Sequence, residues 1–265
     1  MTFKKVLLFP SPKGNVNENE IKNIETKLLE VGISATRYPE DNGGDFDAII
    51  ALGGDGTMLK ASSIALEKGV PVMSINFGTL GYMSGLEISE LDMLSNLKGG
   101  CNTEKRMLIN IVVERNGETL VQTTALNEAV ISRKVDGGIA LIGLKCDGST
   151  VCDYRADGVI IATPTGSSAY AMSAGGPIID TKLDAFCVCP ICPHALGARA
   201  MVFSPNSVLE AININGNGNK LICDGNAVCD LIEGDVIKVR KSEKTLEIIK
   251  LKKDAFYETL YNKMS

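Results

Sequence analysis

The chain has 265 residues, 45% of them hydrophobic and 22% charged, with a formal net charge of −5. That is enough for one large domain or two small ones with real cores, and the acidic balance without a basic tract argues against nucleic-acid binding. No apolar stretch approaches the roughly 18–20 residues of a membrane-spanning helix, so no membrane partner is expected.

The start, Met1-Thr2-Phe3-Lys4-Lys5 and a brief apolar run, is too short for a signal core and lacks a small-residue cleavage site. It reads as a first strand over 6–9, and the expected location is the cytoplasm. Ile21, Ile24, Leu28 and Val31 then share one helical face, and Gly32 stops that helix. A strand is predicted over 33–38. Ala48-Ile49-Ile50-Ala51-Leu52 reads as a buried strand, followed by Gly53-Gly54-Asp55-Gly56-Thr57 and a helix-spaced run through Leu66. Another strand is predicted over 70–76. Ile88, Leu91, Leu94 and Leu97 mark one more helix, with Ser89 and Asp92 near its start. Such alternation implies a mainly parallel sheet covered by helices, with ligands at the carboxyl ends of its strands.

After Gly100 the pattern changes. Alternating runs over 108–114 and 118–124 flank Asn116-Gly117, a hairpin signal. Asp147-Gly148, Asn215-Gly216, Asp224-Gly225 and Glu233-Gly234 punctuate further short strands, so this half is β-rich. Over 254–264, Phe256, Leu260 and Met264 fall at helical spacing, as in a segment that packs back onto another element.

Three stretches carry chemistry. In the first, a strand runs through a glycine loop into a helix N-terminus, which offers backbone N–H groups and a dipole to a phosphate. No Gly-Lys-Ser/Thr follows, so this is not a Walker A loop. A carboxylate in a phosphate loop repels the ligand unless it has a task. Asp55 either takes a proton from an attacking hydroxyl or helps hold Mg²⁺, and both point to phosphoryl transfer. The alternative is a tight turn whose Asp caps the helix.

The second stretch runs over 154–177, with an apolar strand entering a turn of Pro, Gly and hydroxyl residues. Asp157 could accept from a ribose hydroxyl or a carboxamide, and Tyr170 could donate to a phosphate. The alternative is a Ser/Thr turn that satisfies its own backbone. The third is Asn127-Glu128 within apolar surroundings. An amide beside a carboxylate can hold an adenosine; the alternative is a pair of solvated residues at a strand bend.

Of eight cysteines, Cys187, Cys189 and Cys192 come near metal-ligand spacing, close to His194, the only histidine. Structural zinc usually draws on two separated ligand pairs, so the expectation is small apolar side chains and no bound metal.

Together the three stretches resemble the NAD kinase family, over nearly the whole chain. The resemblance includes Gly-Gly-Asp-Gly-Thr at 53–57, the block from Asn76 to Tyr82, Asn127-Glu128, the block over 157–177, Pro190 to Leu196 and Asp224-Gly225. It implies a Rossmann-like α/β domain over 1–100, a β-sandwich domain over 101–245 and a last segment, 246–265, returning to the first domain. It also implies phosphorylation of the adenosine ribose 2′-hydroxyl of NAD by ATP or polyphosphate. By that resemblance Asp55 is the general base, and Gly54, Gly56, Thr57 and Lys60 serve the phosphate loop. Asn127 and Glu128 hold the adenosine ribose, Asp157 binds the nicotinamide end, and Arg155 lies close by. Thr165, Ser168, Ala169, Tyr170 and Ser173 line the adenine and phosphate pocket.

There are departures from the family pattern. Tyr82, among the binding residues, replaces a frequent phenylalanine. Asn226 stands where a glutamine is common, which shortens its reach to NAD. A divalent cation such as Mg²⁺ would accompany the donor, and a homodimer or homotetramer would share the NAD site. The rival readings are a lipid kinase of the diacylglycerol type, which would need an apolar groove, and a dinucleotide sensor without turnover.

Overall fold

The structure is a computed structural model that describes residues 3–12, 14, 16–40, 44–78, 81–83, 85–134, 136–216, 218–252 and 256–264. Thr79 and Leu80 of the block over 76–82, and residues 254 and 255 of the last predicted segment, lie outside the described residues. The chain divides into two compact units: Met1–Lys105 with Leu246–Ser265, and Arg106–Thr245.

The first unit is α/β. Its elements are β1 (Lys5–Pro10), α1 (Glu18–Glu30), β2 (Ser34–Arg37), β3 (Ala48–Leu52), α2 (Asp55–Lys68), β4 (Val72–Asn76) and the short β5 (Leu86–Glu87), followed by a 3₁₀ helix over Ile88–Leu97. The strands pair in parallel in the order β2-β1-β3-β4, with β5 and Ile248 both on the free edge of β4. Every residue of β3 and β4 is buried, which is why both read as unbroken rather than alternating runs. An Asn17–Glu20 capping box starts α1, and Ile21, Ile24 and Leu28 anchor it.

The predicted helix at 88–97 is 3₁₀ rather than α. Ile88, Leu91, Leu94 and Leu97 repeat every three residues, the 3₁₀ period; Leu91, Leu94 and Leu97 are buried, and a kink at Glu90 separates them from Ile88. Its capping box is Glu87 with Glu90, not Ser89 or Asp92. The last helix covers Phe256–Met264 and buries Phe256 and Thr259, while Met264 is 68% exposed. The predicted apolar face is therefore corrected at its last position: Phe256 is buried and Leu260 half-buried, but Met264 faces solvent.

The second unit is a sandwich of two antiparallel sheets. The chain supplies β6 (Asn102–Arg115), β7 (Glu118–Ala125), β8 (Glu128–Ser132), β9 (Ala140–Cys146), β10 (Ser149–Ala156), β11 (Gly158–Ala162) and a short α3 (Tyr170–Ser173). Then follow β12 (Phe186–Ile191), β13 (Met201–Phe203), β14 (Leu209–Asn213), β15 (Asn219–Cys223), β16 (Asn226–Leu231) and β17 (Val236–Lys250). One sheet runs β13-β12-β11-β8-β15-β16. The other contains β10-β9-β14-β17 with the β6–β7 hairpin.

The sandwich core joins Ile109 and Ile111 of β6, Ile142 and Leu144 of β9, and Val159 and Ile161 of β11. The alternate residues of β11, Ile160 and Ala162, face a second cluster with Ala171 and Ile179. β11 is thus covered on both sides and is apolar throughout. Asn116-Gly117, Asp147-Gly148 and Asp224-Gly225 each place two successive residues at positive φ, between 49° and 82°, as two-residue hairpin turns require.

Candidate functional site

In the first unit the chain leaves β1 for β2 on one side and returns to β3 on the other. This change of direction opens a crevice at the carboxyl ends of β1 and β3. A cavity of about 360 Å³ lies there, lined by Ser11, Pro12, Gly54, Asp55, Gly56, Thr57 and Lys60.

The glycines of the loop have different reasons to be glycine. Gly53 has φ +152°, and a Cβ there would lie 2.5 Å from Thr57 Oγ1, so the fold itself requires it. A Cβ on Gly54 would meet nothing closer than Asn76 Oδ1 at 3.8 Å, and one on Gly56 would meet nothing within 4 Å. The protein's own packing does not need those two; they leave backbone bare toward the cavity. Gly54 is the N-cap of α2 and has no side chain to cap it, so the first N–H groups of the helix remain for a ligand.

Asp55 does not cap its own helix, which sets aside the capping alternative. Its carboxylate accepts from a separate segment: Tyr82 N–H donates to Oδ2 at 2.9 Å and Met83 N–H to Oδ1 at 3.0 Å. Each oxygen keeps a second acceptor site. Thr57 is buried, and Lys60 is exposed at the rim of the cavity. Tyr82 contributes its backbone to Asp55, while its ring packs 6.4 Å from that of Phe256.

In the second unit, Asn127 and Glu128 enter β8 and are each only 7% exposed, so they are not solvated residues at a bend. Asp224, at the hairpin between β15 and β16, holds their backbone. It accepts from the N–H groups of Leu126 at 2.7 Å, Asn127 at 2.8 Å and Glu128 at 3.2 Å. On the other side Thr163 Oγ1 donates to the Leu126 carbonyl at 2.6 Å, and Thr163 N–H donates to that of Asn127 at 2.8 Å. A Cβ on Gly166 would stand 2.1 Å from the Asn127 carbonyl oxygen, so only glycine fits this approach.

The backbone of the turn is therefore fully held, yet its side chains are not. Asn127 Oδ1 and Glu128 Oε2 are buried with no hydrogen-bond partner among the described residues. Burial, with the Asp224 charge adding to it, pushes the Glu128 carboxyl up to about 7. Burial also raises Asp224, against the opposing pull of its three amide donors. Unpartnered buried acceptors are costly, and a ligand with hydroxyl or amide donors removes that cost.

The hydroxyl turn over 163–168 spends several of its donors on itself. Ser167 Oγ donates to Pro164 O, and Ser168 Oγ donates to Thr165 O. Thr165 is buried, Ala169 is half-buried, and Tyr170 and Ser173 are exposed. The turn thus works first as scaffold for Asn127 and only secondarily as a source of donors. Asp157 Oδ1 accepts from Arg133 Nε at 2.6 Å. The arginine beside Asp157 is Arg133, while Arg155 is exposed and its carbonyl accepts from His194 N–H at 2.8 Å. Asn226 is exposed, and its amide donates to the Asp224 carbonyl at 3.2 Å.

Sequence reasoning missed Ser11 and Pro12, which were readable as the end of the first strand in an α/β unit. It treated Asp224 as turn punctuation and overlooked Arg133, for which no local signal exists. Cys187 and Cys189 point into the apolar cluster behind β12, and burial pushes Cys187 up to about 11. Cys192 is exposed beyond the strand end, so the three thiols do not converge. Among the described residues no group of three His, Cys, Asp or Glu side chains is placed to hold a metal ion.

Comparison with known proteins adds three findings. Residues 14–96 match the family model of the ATP-NAD kinase N-terminal domain, and residues 126–251 that of the ATP-NAD kinase C-terminal domain. The NAD kinase of Symbiobacterium thermophilum is 39% identical over 228 residues, 84% of this chain and 80% of the relative. That of Methanothermobacter thermautotrophicus is 37% identical over 248 residues, 91% of this chain and 84% of the relative. Among solved structures, yeast NADH kinase complexed with NADH superposes with a TM-score of 0.89 at 21% identity, covering 99% of this chain and 88% of that one. An NAD kinase from Archaeoglobus fulgidus in complex with ATP gives 0.77 at 24% identity, covering 98% of each chain. At these identities the two structures speak for the fold.

Proposed function

The chain belongs to the NAD kinase family, and on that premise we propose that it phosphorylates the adenosine ribose 2′-hydroxyl of NAD with ATP, giving NADP and ADP. The observation that carries this reading is the pair of buried, unpartnered acceptors Asn127 Oδ1 and Glu128 Oε2. An adenosine supplies hydroxyl and amine donors for such atoms; a phosphate tail supplies none. The lipid acceptor of the rival kinase reading supplies few.

In the proposed reaction the 2′-oxygen attacks the γ-phosphorus of ATP. An O–P bond forms, the bond to the leaving ADP oxygen breaks, and the hydroxyl proton passes to Asp55. Asp55 suits the role because two backbone amides orient it while each oxygen retains an acceptor site. Gly54, Gly56 and the bare N-terminus of α2 cradle phosphate oxygens, with the Lys60 ammonium at the rim. Asn127 and Glu128 hold the adenosine, and Asp157, paired with Arg133, receives the nicotinamide end.

The donor set fits a cation that arrives on the nucleotide rather than one held by the protein alone. Among the described residues Asp55 is the only carboxylate lining the loop cavity, and Mg²⁺ is commonly bound by one or two carboxylates plus phosphates. When bound, Mg²⁺ would neutralise charge on the transferring phosphate. A homodimer or homotetramer in the cytoplasm is the assembly and location that the family reading favours. Among the described residues no helix is long and apolar enough to cross a membrane.

The test is NADP formation by purified protein, read with an NADP-specific dehydrogenase. ATP and polyphosphate are supplied separately as donors, and NAD and NADH as acceptors. NADP from NAD and ATP is the expected outcome. Tight NAD binding without product under any donor would replace this reading with the dinucleotide sensor.

A further inference from the structure

The Asp55 carboxylate takes its orientation from a segment outside its own helix. The N–H groups of Tyr82 and Met83 reach its two oxygens at 2.9 and 3.0 Å. Residues 81–83 belong to no helix or strand, so something else must hold these amides in place. Two straps do so. Ser74, on β4, accepts from Gly85 N–H at 3.1 Å and donates to the Met83 carbonyl at 3.3 Å. A Cβ on Gly85 would lie 2.8 Å from the Ser74 carbonyl oxygen, so the approach is as close as backbone allows.

The second strap is the last helix. Its buried Phe256 ring lies 6.4 Å from the Tyr82 ring, tilted by 51°. Lys263, two turns further along, sets its ammonium 4.8 Å from the Tyr82 ring centroid. Both distances fall in the attractive range for such pairs. The Tyr82 ring is thus gripped between the start and the end of one helix, and its backbone N–H touches the carboxylate. A helix of nine residues is marginal by itself, and packing of this kind stabilises it.

We propose that the helix Phe256–Met264 is a positioning element for Asp55, acting through Phe256, Lys263 and the Tyr82 ring to aim the amides that orient the carboxylate. This rests on Asp55 being the base proposed above. Phe256 and Lys263 are positioning residues; neither lines the loop cavity. A misaimed base slows proton transfer without changing how NAD or ATP is bound.

The experiment compares Phe256→Ala, Lys263→Ala and Phe256→Tyr in the full chain, each alone and combined with Asp55→Asn. The fraction folded at the assay temperature is checked by circular dichroism. Phe256→Ala should lower kcat by roughly 10- to 100-fold, the scale of a misplaced catalytic group, with both KM values within about twofold. Lys263→Ala should lower kcat by about 2- to 5-fold, the equivalent of an exposed cation–π contact. Lys263 is exposed, so its variant serves where Phe256→Ala does not fold. Phe256→Tyr should keep most of the activity.

In the Asp55→Asn background the same substitutions should leave the residual kcat unchanged, because the group they act through is gone. Equal kcat losses in both backgrounds, or a raised KM in place of a lowered kcat, would overturn the inference. Asp55→Asn with near-normal kcat would instead bring down the base assignment on which it rests. A large loss in Asp55→Asn with none in the helix variants would remove the inference alone.

Discussion

Asp55 and Glu128 are both carboxylates placed next to a glycine-dependent backbone, yet the chain treats them differently. Asp55 lines an open cavity, and each of its oxygens accepts an amide of the protein. Glu128 is 7% exposed, and its Oε2 has no partner among the described residues. The first is oriented before any ligand arrives. The second waits for a donor, its backbone held by Asp224. That contrast separates a group suited to act on a reacting atom from one suited to recognise a substrate. The same division runs through the glycines. Gly54 and Gly56 leave space open, whereas Gly166 lets two backbone segments meet closer than any Cβ would allow.

The largest effect that would break this comparison is in turnover. Asp55→Asn keeps the shape and loses the basicity, so kcat should fall by roughly 10²–10⁴-fold while NAD binding changes much less. Steady-state kinetics with NAD varied will read both. A variant that turns over like the parent would leave Asp55 as a structural ligand of the loop amides.

The next effect is in recognition. At pH 8, above the Glu128 value of about 7, Glu128→Gln should raise KM for NAD by about 10- to 150-fold, the equivalent of one charged hydrogen bond, with KM for ATP unchanged. A rise confined to ATP would put Glu128 at the other substrate.

The same pair of proteins sharpens the point through pH. The folded-state value of Glu128, about 7, lies above its ordinary 4.5, so the native state keeps this proton longer than the unfolded chain does. The associated stability is complete below about pH 4.5 and is lost as the pH rises through 7. Urea unfolding between pH 5 and 8 should show the parent losing stability relative to Glu128→Gln, by at most ~3 kcal/mol. Parallel curves would mean that Glu128 is not protonated in the buried site.

The smallest effect separates Asp157 from Glu128. The Asp157 side chain is 38% exposed and already paired with Arg133. Asp157→Asn should therefore raise KM for NAD only a few-fold, as befits a half-exposed ion pair. A rise as large as that for Glu128→Gln would show that the nicotinamide end depends on Asp157 as strongly as the adenosine depends on Glu128.

Local sequence determined the kinds of element and much of their punctuation. The apolar run at 48–52 read as a buried strand, because it is short, has no polar face and is followed by glycines. Asn116-Gly117 had to turn, because few residue pairs accept two successive positive φ values. Asp55 stood out within a glycine loop for its charge alone. Spacing by three at Ile88, Leu91, Leu94 and Leu97 was visible too, although its 3₁₀ meaning emerged only in the folded helix.

Tertiary structure decided what the side chains face. Asp224 looked like one more Asp-Gly turn, yet it accepts three amides from residues 126–128, nearly a hundred positions earlier in the chain. Arg133 carried no signal until the sheet brought it beside Asp157. The amides that orient Asp55 come from a segment without periodicity, strapped by Ser74 and by a helix that begins at Phe256. Local pattern reflects backbone propensity and the choice of core or solvent. The partner of a polar group is set by long-range pairing, which no window of neighbouring residues contains.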